Sequence, residues 1–197
     1  MTEPRRAHVR RETLETKVEI DLLLDGEGRA DVATGLGFLD HMLTALAKHG
    51  RFDLRLSCEG DLEIDDHHTA EDCALTLGTA FDQALGDRRG IARFAHAYAP
   101  LDEALARAVV DFSGRPSACV DLGLTREAIG EIACENIVHV FQSLAVNARM
   151  TLHVDVLRGA NDHHRAEAAF KALALALRQA VARDGGDAVP STKGTLG

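Results

Sequence analysis

The 197-residue chain has no tryptophan and a single tyrosine. None of its apolar runs approaches the roughly 20 residues that a membrane-spanning helix requires, so no membrane partner is expected. No two cysteines stand as C-x-x-C. Positive charge is scarce: 22 lysines and arginines face 31 acids, and the net charge of -9 ranks a nucleic-acid binder low. The opening Met1 to Glu15 is charged and has no apolar h-region, so no secretory signal is expected and the expected location is cytoplasmic. In such a reducing compartment Cys58, Cys73, Cys119 and Cys134 are expected as free thiols in or near the core. With 46% hydrophobic residues the chain is too apolar for a disordered one. Its length fits one domain, 1–197, that buries a core without disulfide staples.

What the chain does have is histidine, ten residues in all, and it repeats itself. The stretch from His41 to Leu85 aligns with that from His139 to Val181. His41 matches His139, Leu46 matches Leu144 and Arg51 matches Arg149. After a two-residue gap, Asp66-His67-His68 matches Asp162-His163-His164, and Glu71 matches Glu167. Self-similarity at this spacing points to a duplicated unit of about 90 residues, too few copies for a solenoid. The expected halves are about 9–92 and 93–184, followed by a tail, 185–197, without periodicity.

Periodicity gives each half the same order of elements. In the first half, strands are expected at 17–24 and 29–34, joined as a hairpin by Asp25-Gly26. A helix follows at 39–49, with Gly50 as the left-handed residue after its end. A strand at 52–58 and a helix from about 68 to 85, capped by Asp65 or Asp66, complete it. The second half is read as strands 106–112 and 118–122, helix 135–147, strand 150–156 and helix 164–183. The expected fold is α+β: two β-β-α-β-α half-domains with pseudo-twofold symmetry, their sheets covered by helices.

The histidines are spaced as metal ligands. On a helix beginning near His67, His67 and Glu71 lie one turn apart on one face and can grip one cation. His163 and Glu167 repeat the pair. His68 and His164 point elsewhere, free for a second cation, and His41 and His139 add one ligand per half. Six histidines and two glutamates shared by two cations leave open positions, which suits an octahedral ion such as Mn²⁺ or Fe²⁺; zinc and copper would bind the same donors. How the ligands divide, within or between chains, stays open. His49 aligns with Asn147, so the repeat does not support it as a ligand; it caps a helix end or touches substrate. His8, His96 and His153 carry no expected chemistry, and Asp72 is read as a support or a helix-start charge. Arg93, Arg115 and Lys193, with the hydroxyls of Ser191 and Thr192, have the chemistry of a phosphate grip.

These segments together resemble the imidazoleglycerol-phosphate dehydratase family. The matching stretches are Arg11-Glu12-Thr13-x-Glu15-Thr16, Phe38-Leu39-Asp40-His41-Met42-Leu43 and Asp66-His67-His68-Thr69-x-Glu71-Asp72. Gly86-Asp87-x-x-Gly90-Ile91-x-Arg93-Phe94, Pro100-Leu101-Asp102-Glu103-Ala104-Leu105 and Asp111-x-Ser113-Gly114-Arg115-Pro116 continue the match. Asn161-Asp162-His163-His164-x-x-Glu167-Ala168-x-Phe170-Lys171 and Pro190-Ser191-Thr192-Lys193-Gly194 complete it over nearly the whole chain.

The resemblance implies dehydration of imidazole glycerol phosphate to imidazole acetol phosphate in histidine biosynthesis, a hydro-lyase reaction. It implies two Mn²⁺ per active site, with the substrate ring bound between them as imidazolate and electrons pushed toward the leaving hydroxyl through a diazafulvene-like intermediate. Glu15 is then the candidate general base, with Glu71 and Glu167 as alternatives already used as ligands and His49 as a second acid/base candidate. Arg93, Arg115, Ser191, Thr192 and Lys193 would hold the phosphate, with Glu15 also touching the substrate. The family pattern further implies a homo-oligomer of about 24 chains with sites at subunit contacts, and no phosphatase domain in this chain. A dinuclear metallohydrolase or a metal-storage protein would use the same ligands. The storage protein would have no need of Glu15, Arg93, Arg115 or Lys193.

Overall fold

Thr16–Leu23 alternates buried and exposed residues along its length, with Val18, Ile20 and Leu22 turned inward and Lys17, Glu19 and Asp21 outward. That period of two makes a strand with one wet face. The computed structural model describes residues 4–196, so residues 1–3 and 197, the ends of the expected domain and tail, lie outside the described residues. Within them the strand Thr16–Leu23 (β2) follows β1 (Arg6–Glu12) and precedes β3 (Ala30–Ala33), α1 (Gly37–Gly50), β4 (Asp53–Gly60) and α2 (His67–Leu85). The second half runs β5 (Phe94–Leu101), β6 (Ala104–Asp111), β7 (Ser117–Asp121), β8 (Ala128–Ile129), β9 (Ile132–Ala133), α3 (Cys134–Asn147), β10 (Thr151–Arg158) and α4 (Asp162–Ala180).

The duplicated α+β architecture is present; the first half carries one strand more than periodicity indicated, β1, and the second carries three more, β5 and the two-residue β8 and β9. β1 and β5 are edge strands; β1 turns only Ala7, Val9 and Arg11 inward, and β5 carries apolar Phe94 and Tyr98 on its exposed face, so the apolar alternation of both is weak. The expected pairing of β2 with β3 as a hairpin is corrected. The first sheet runs β1-β2-β4-β3, with β3 parallel to β4 and not beside β2. The second repeats it as β5-β6-β10-β7. The reason is burial. β4 brings Leu54 and Leu56 inward and takes the central place, while the short, exposed β3 goes to the edge. With α1 as the crossover between them, β3 and β4 can run parallel.

Gly50 is also corrected as the left-handed residue. Arg51 holds that conformation at φ 58, and its repeat partner Arg149 does so at φ 51. Gly50 answers a different need, because a Cβ there would sit 2.4 Å from a ring carbon of Phe52. At the start of α2, Asp65 rather than Asp66 caps, its Oδ1 accepting from the His67 N–H at 2.8 Å. Asp66 accepts instead from the Ala133 N–H at 2.7 Å and so ties α2 to the strand before α3.

Each sheet carries its helices on one face, and the two halves meet through helices. α1 packs on α4 of the other half, and α2 packs on α3. α2 also lies on β1 and β2, and α4 on β5 and β6. One apolar core, from Val18 and Leu46 through Phe81 to Phe141 and Leu177, runs through both halves. All four cysteines are free thiols; Cys73 and Cys134 are buried, but Cys119 stands exposed on the second sheet, away from the core expected for it.

Candidate metal centre

The helix pairing decides which histidines meet. Because α1 lies against α4, His41 of the first half reaches His163 and Glu167 of the second; both imidazoles place Nε2 3.2 Å from Glu167 Oε2. Because α2 lies against α3, His139 of the second half reaches His67 and Glu71 of the first, with His139 Nε2 3.0 Å from Glu71 Oε1. The rings of His67 and His139 stack, their centroids 5.1 Å apart. In each group of three, the donor atoms all lie within 4.8 Å of one another. Two imidazole nitrogens and one carboxylate oxygen converging from two helices fit a divalent cation that accepts N and O donors.

His68 and His164 fall outside both groups. His68 turns Nδ1 to Asp61, 3.0 Å from Oδ2, and its Nε2 is 3.6 Å from Glu15 Oε1. His164 turns Nδ1 to Glu103 Oε2 at 2.7 Å, and its Nε2 is 3.9 Å from Asp102 Oδ2. The Asp61 carboxylate raises the His68 pKa and Glu103 raises that of His164, each outweighing desolvation. In return, the His164 bond and two backbone amides hold Glu103 at a pKa of about 2. Burial alone would raise the Glu167 pKa, but hydrogen bonds from Lys171, His41 and His163 bring it below the usual value. Lys171 Nζ sits 2.7 Å from Glu167 Oε1.

The halves have diverged beside the group built on Glu167. His49 occupies the place of Asn147, and Lys171 that of Leu75. Asn147 is structural: its Nδ2 donates to the Leu75 carbonyl at 3.0 Å and pins α3 to α2. His49 is freed from that task at the exposed end of α1, and desolvation followed by the Lys171 charge lowers its pKa.

Glu15 stands in the β1–β2 turn with its carboxylate half exposed. Arg93 is already engaged. It grips Asp111 through two nitrogens, at 2.7 and 3.0 Å, and donates to the Pro190 carbonyl at 2.8 Å. Arg93 therefore anchors the tail that carries Ser191, Thr192 and Lys193. That tail turns on itself, with the Lys193 N–H donating to Ser191 Oγ at 3.2 Å and Thr192 and Lys193 exposed. Arg115 is exposed in the loop before β7, and its guanidinium has no hydrogen-bond partner among the described residues. Asp72 is a support: buried, it accepts from Thr16 Oγ1 and pairs with Arg11, joining α2 to β1 and β2. His8 pairs with Asp21 at the surface.

Asp61, Glu103, Asn136 and Lys171 had gained no role from sequence. Asn136 Oδ1 is 2.9 Å from His67 Nδ1. A signal for Glu103 was available, because the β1–β2 and β5–β6 turns align at one constant offset and place Glu103 on Glu15. For the others no local pattern marks the role.

The family model for imidazoleglycerol-phosphate dehydratase matches residues 34–177. The chain is 59% identical to the imidazoleglycerol-phosphate dehydratase of Phaffia rhodozyma, over 98% of this chain and 96% of that one. It is 63% identical to the protein of that name from Phytophthora nicotianae, again over 98% of this chain but only 42% of the longer relative. The crystal structure of the dehydratase from Pyrococcus furiosus superposes with a TM-score of 0.83 at 37% identity, covering 95% of this chain and all of that one. That from Staphylococcus aureus gives a TM-score of 0.81 at 35% identity, covering 90% and 99%.

Proposed function

The chain belongs to the imidazoleglycerol-phosphate dehydratase family, hydro-lyases of histidine biosynthesis, and from that premise we propose that it converts imidazole glycerol phosphate to imidazole acetol phosphate at a dinuclear Mn²⁺ site. The observation that carries the reading is the pair of His-His-Glu groups, each assembled from both halves of the duplication. When bound, the two ions supply Lewis-acid charge that holds the substrate ring as imidazolate and eases loss of the hydroxyl beside it.

The chain's own residues do the rest. His41, His163 and Glu167 hold one ion; His67, Glu71 and His139 hold the other. His68 and His164 complete the coordination from a neighbouring copy, which is why both lie outside the groups of their own chain. This requires a homo-oligomer, for which about 24 chains is the proposed size. Exposed Phe94, Tyr98 and Leu157 on the outer face of the second sheet are consistent with such contacts. Glu15 takes the proton from the carbon that bears the retained hydroxyl. The neighbouring hydroxyl leaves as water with a proton supplied by an acid, for which His49 is the candidate, and the enol that remains tautomerises to the ketone. Arg115, Ser191, Thr192 and Lys193 bind the phosphate. Arg93 contributes by holding the tail in reach and by its own charge. No helix among the described residues is long and apolar enough to cross a membrane, and the proposed location is the cytoplasm.

The test is ketone formation from imidazole glycerol phosphate by chelator-stripped protein, before and after Mn²⁺ is added. Activity that returns only with metal is expected. Metal-loaded, assembled protein that forms no ketone sinks the proposal; released phosphate would then point to a hydrolase. Arg115→Ala should keep its metal and lose turnover, which separates an enzyme from a storage protein.

A further inference from the structure

His68 and His164 occupy equivalent places at the starts of α2 and α4, and each presents Nδ1 to a carboxylate. The two carboxylates come from positions that the duplication does not relate. Asp61, directly after β4, serves His68 at 3.0 Å. Its counterpart in the second half is Gly159, which has no side chain to offer. Glu103, in the β5–β6 turn, serves His164 at 2.7 Å. Its counterpart in the first half is Glu15, which stands near Nε2 of His68 rather than Nδ1. The two halves thus meet one requirement by different routes, which marks the requirement itself as important.

The requirement follows from the chemistry of the ring. A neutral imidazole has one N–H, and a carboxylate can only accept. A carboxylate at Nδ1 therefore places the hydrogen there and leaves the Nε2 lone pair for a cation. Glu103 is itself held in place. Its Oε1 accepts from the N–H groups of Ala160 at 3.0 Å and Asn161 at 2.9 Å, in the segment that leads into α4.

We propose that Glu103 and Asp61 are positioning residues that fix the Nδ1–H tautomers of His164 and His68 and so make both rings metal ligands through Nε2. This division of labour also leaves Glu15, the repeat counterpart of Glu103, free to face the substrate. The inference rests on the metal-dependent reading above.

Glu103→Gln tests it sharply. The amide oxygen can keep the bonds from Ala160 and Asn161, while the NH₂ group replaces the acceptor that faced His164. A donor at Nδ1 drives the hydrogen to Nε2, where it blocks coordination. In the assembled full-length protein, Mn²⁺ affinity read from the electron paramagnetic resonance signal of free Mn²⁺ should fall about 10–100-fold. Added to His164→Ala, the same change should cause no further loss. Asp61→Ala, alone and with His68→Ala, repeats the test at a carboxylate with no backbone bonds to disturb, so a Glu103 variant that fails to fold does not end it. Unchanged affinity in both Glu103→Gln and Asp61→Ala overturns the proposal, as does an equal loss whether or not the partner histidine is present. Wild-type protein that binds no Mn²⁺ in this titration overturns the metal reading itself, a different failure from wild type that binds and variants that bind equally well.

Discussion

His139 Nε2 lies 3.0 Å from Glu71 Oε1, although one side chain stands on α3 of the second half and the other on α2 of the first. Each His-His-Glu group is thus a product of helix packing between halves. His139→Ala should empty the group built on Glu71 and spare the group built on Glu167. Elemental analysis of the purified variant should find half the wild-type metal, and His41→Ala should show the reciprocal loss. Full metal content in His139→Ala would mean that the groups are not the binding sites.

The crossing of α2 and α3 depends on Gly78. A Cβ there would lie 2.7 Å from the Leu144 carbonyl oxygen and 2.8 Å from the Ala148 nitrogen. Gly78→Ala gains about 1 kcal/mol of helix propensity, but forcing a methyl against backbone costs about 1–3 kcal/mol. The steric effect should win. Thermal melting of Gly78→Ala below wild type is expected, with metal content reduced because His139 rides on the displaced helix; a melting temperature above wild type would refute the close approach.

Arg93 joins Asp111 to the Pro190 carbonyl. Arg93→Ala should free the tail, seen as faster amide hydrogen exchange over residues 188–196, while exchange in the helices stays slow. Turnover should fall chiefly through a higher KM, because phosphate contacts are lost without loss of metal. Tail exchange at the wild-type rate would remove Arg93 from its anchoring role.

Asp53 accepts from the Arg29 side chain and from the backbone N–H groups of Glu27 and Arg29. The Arg29 hydrogen bond, ahead of opposing desolvation, lowers its pKa from 3.8 to about 2. The folded state therefore binds this proton less readily than the unfolded chain. The resulting stability is complete above the unfolded pKa of 3.8 and is lost as pH falls toward about 2. Denaturant melts should show wild type more stable than Asp53→Asn at pH 6, with the gap closing between those two values. A gap that stays constant across that window would contradict the assignment.

Much of the fold was legible in the sequence, because burial on one face imposes a period on every element that lies over the core. β2, β4 and the four helices showed it. In β1 and β5 burial alternates as well, but small or polar residues on the inner face of β1 and apolar ones on the outer face of β5 hid it from the sequence. The β2–β3 hairpin misread a local turn signal: Asp25-Gly26 does turn the chain, but the central place beside β2 goes to β4, whose leucines bury more. Gly50 misled for a similar reason. Its glycine answers to the Phe52 ring, a contact that no turn rule contains.

The sequence by itself determined the ligand inventory and the duplication, because His-His-x-x-Glu is a local pattern and its second copy stands in register with the first. It also marked Glu15 and the basic residues through the family resemblance. Tertiary structure alone decided the partition. Helices α1 and α4 pack together, as do α2 and α3, so each His-x-x-x-Glu pair meets a histidine nearly 70 or more residues away. Which nitrogen of His68 or His164 carries the hydrogen is likewise set by Asp61 and Glu103, through contacts that close only when the turns fold onto the helix starts. Hydrogen bonds and coordination depend on distances of a few ångströms between atoms remote in the chain, and only the packed fold sets those distances.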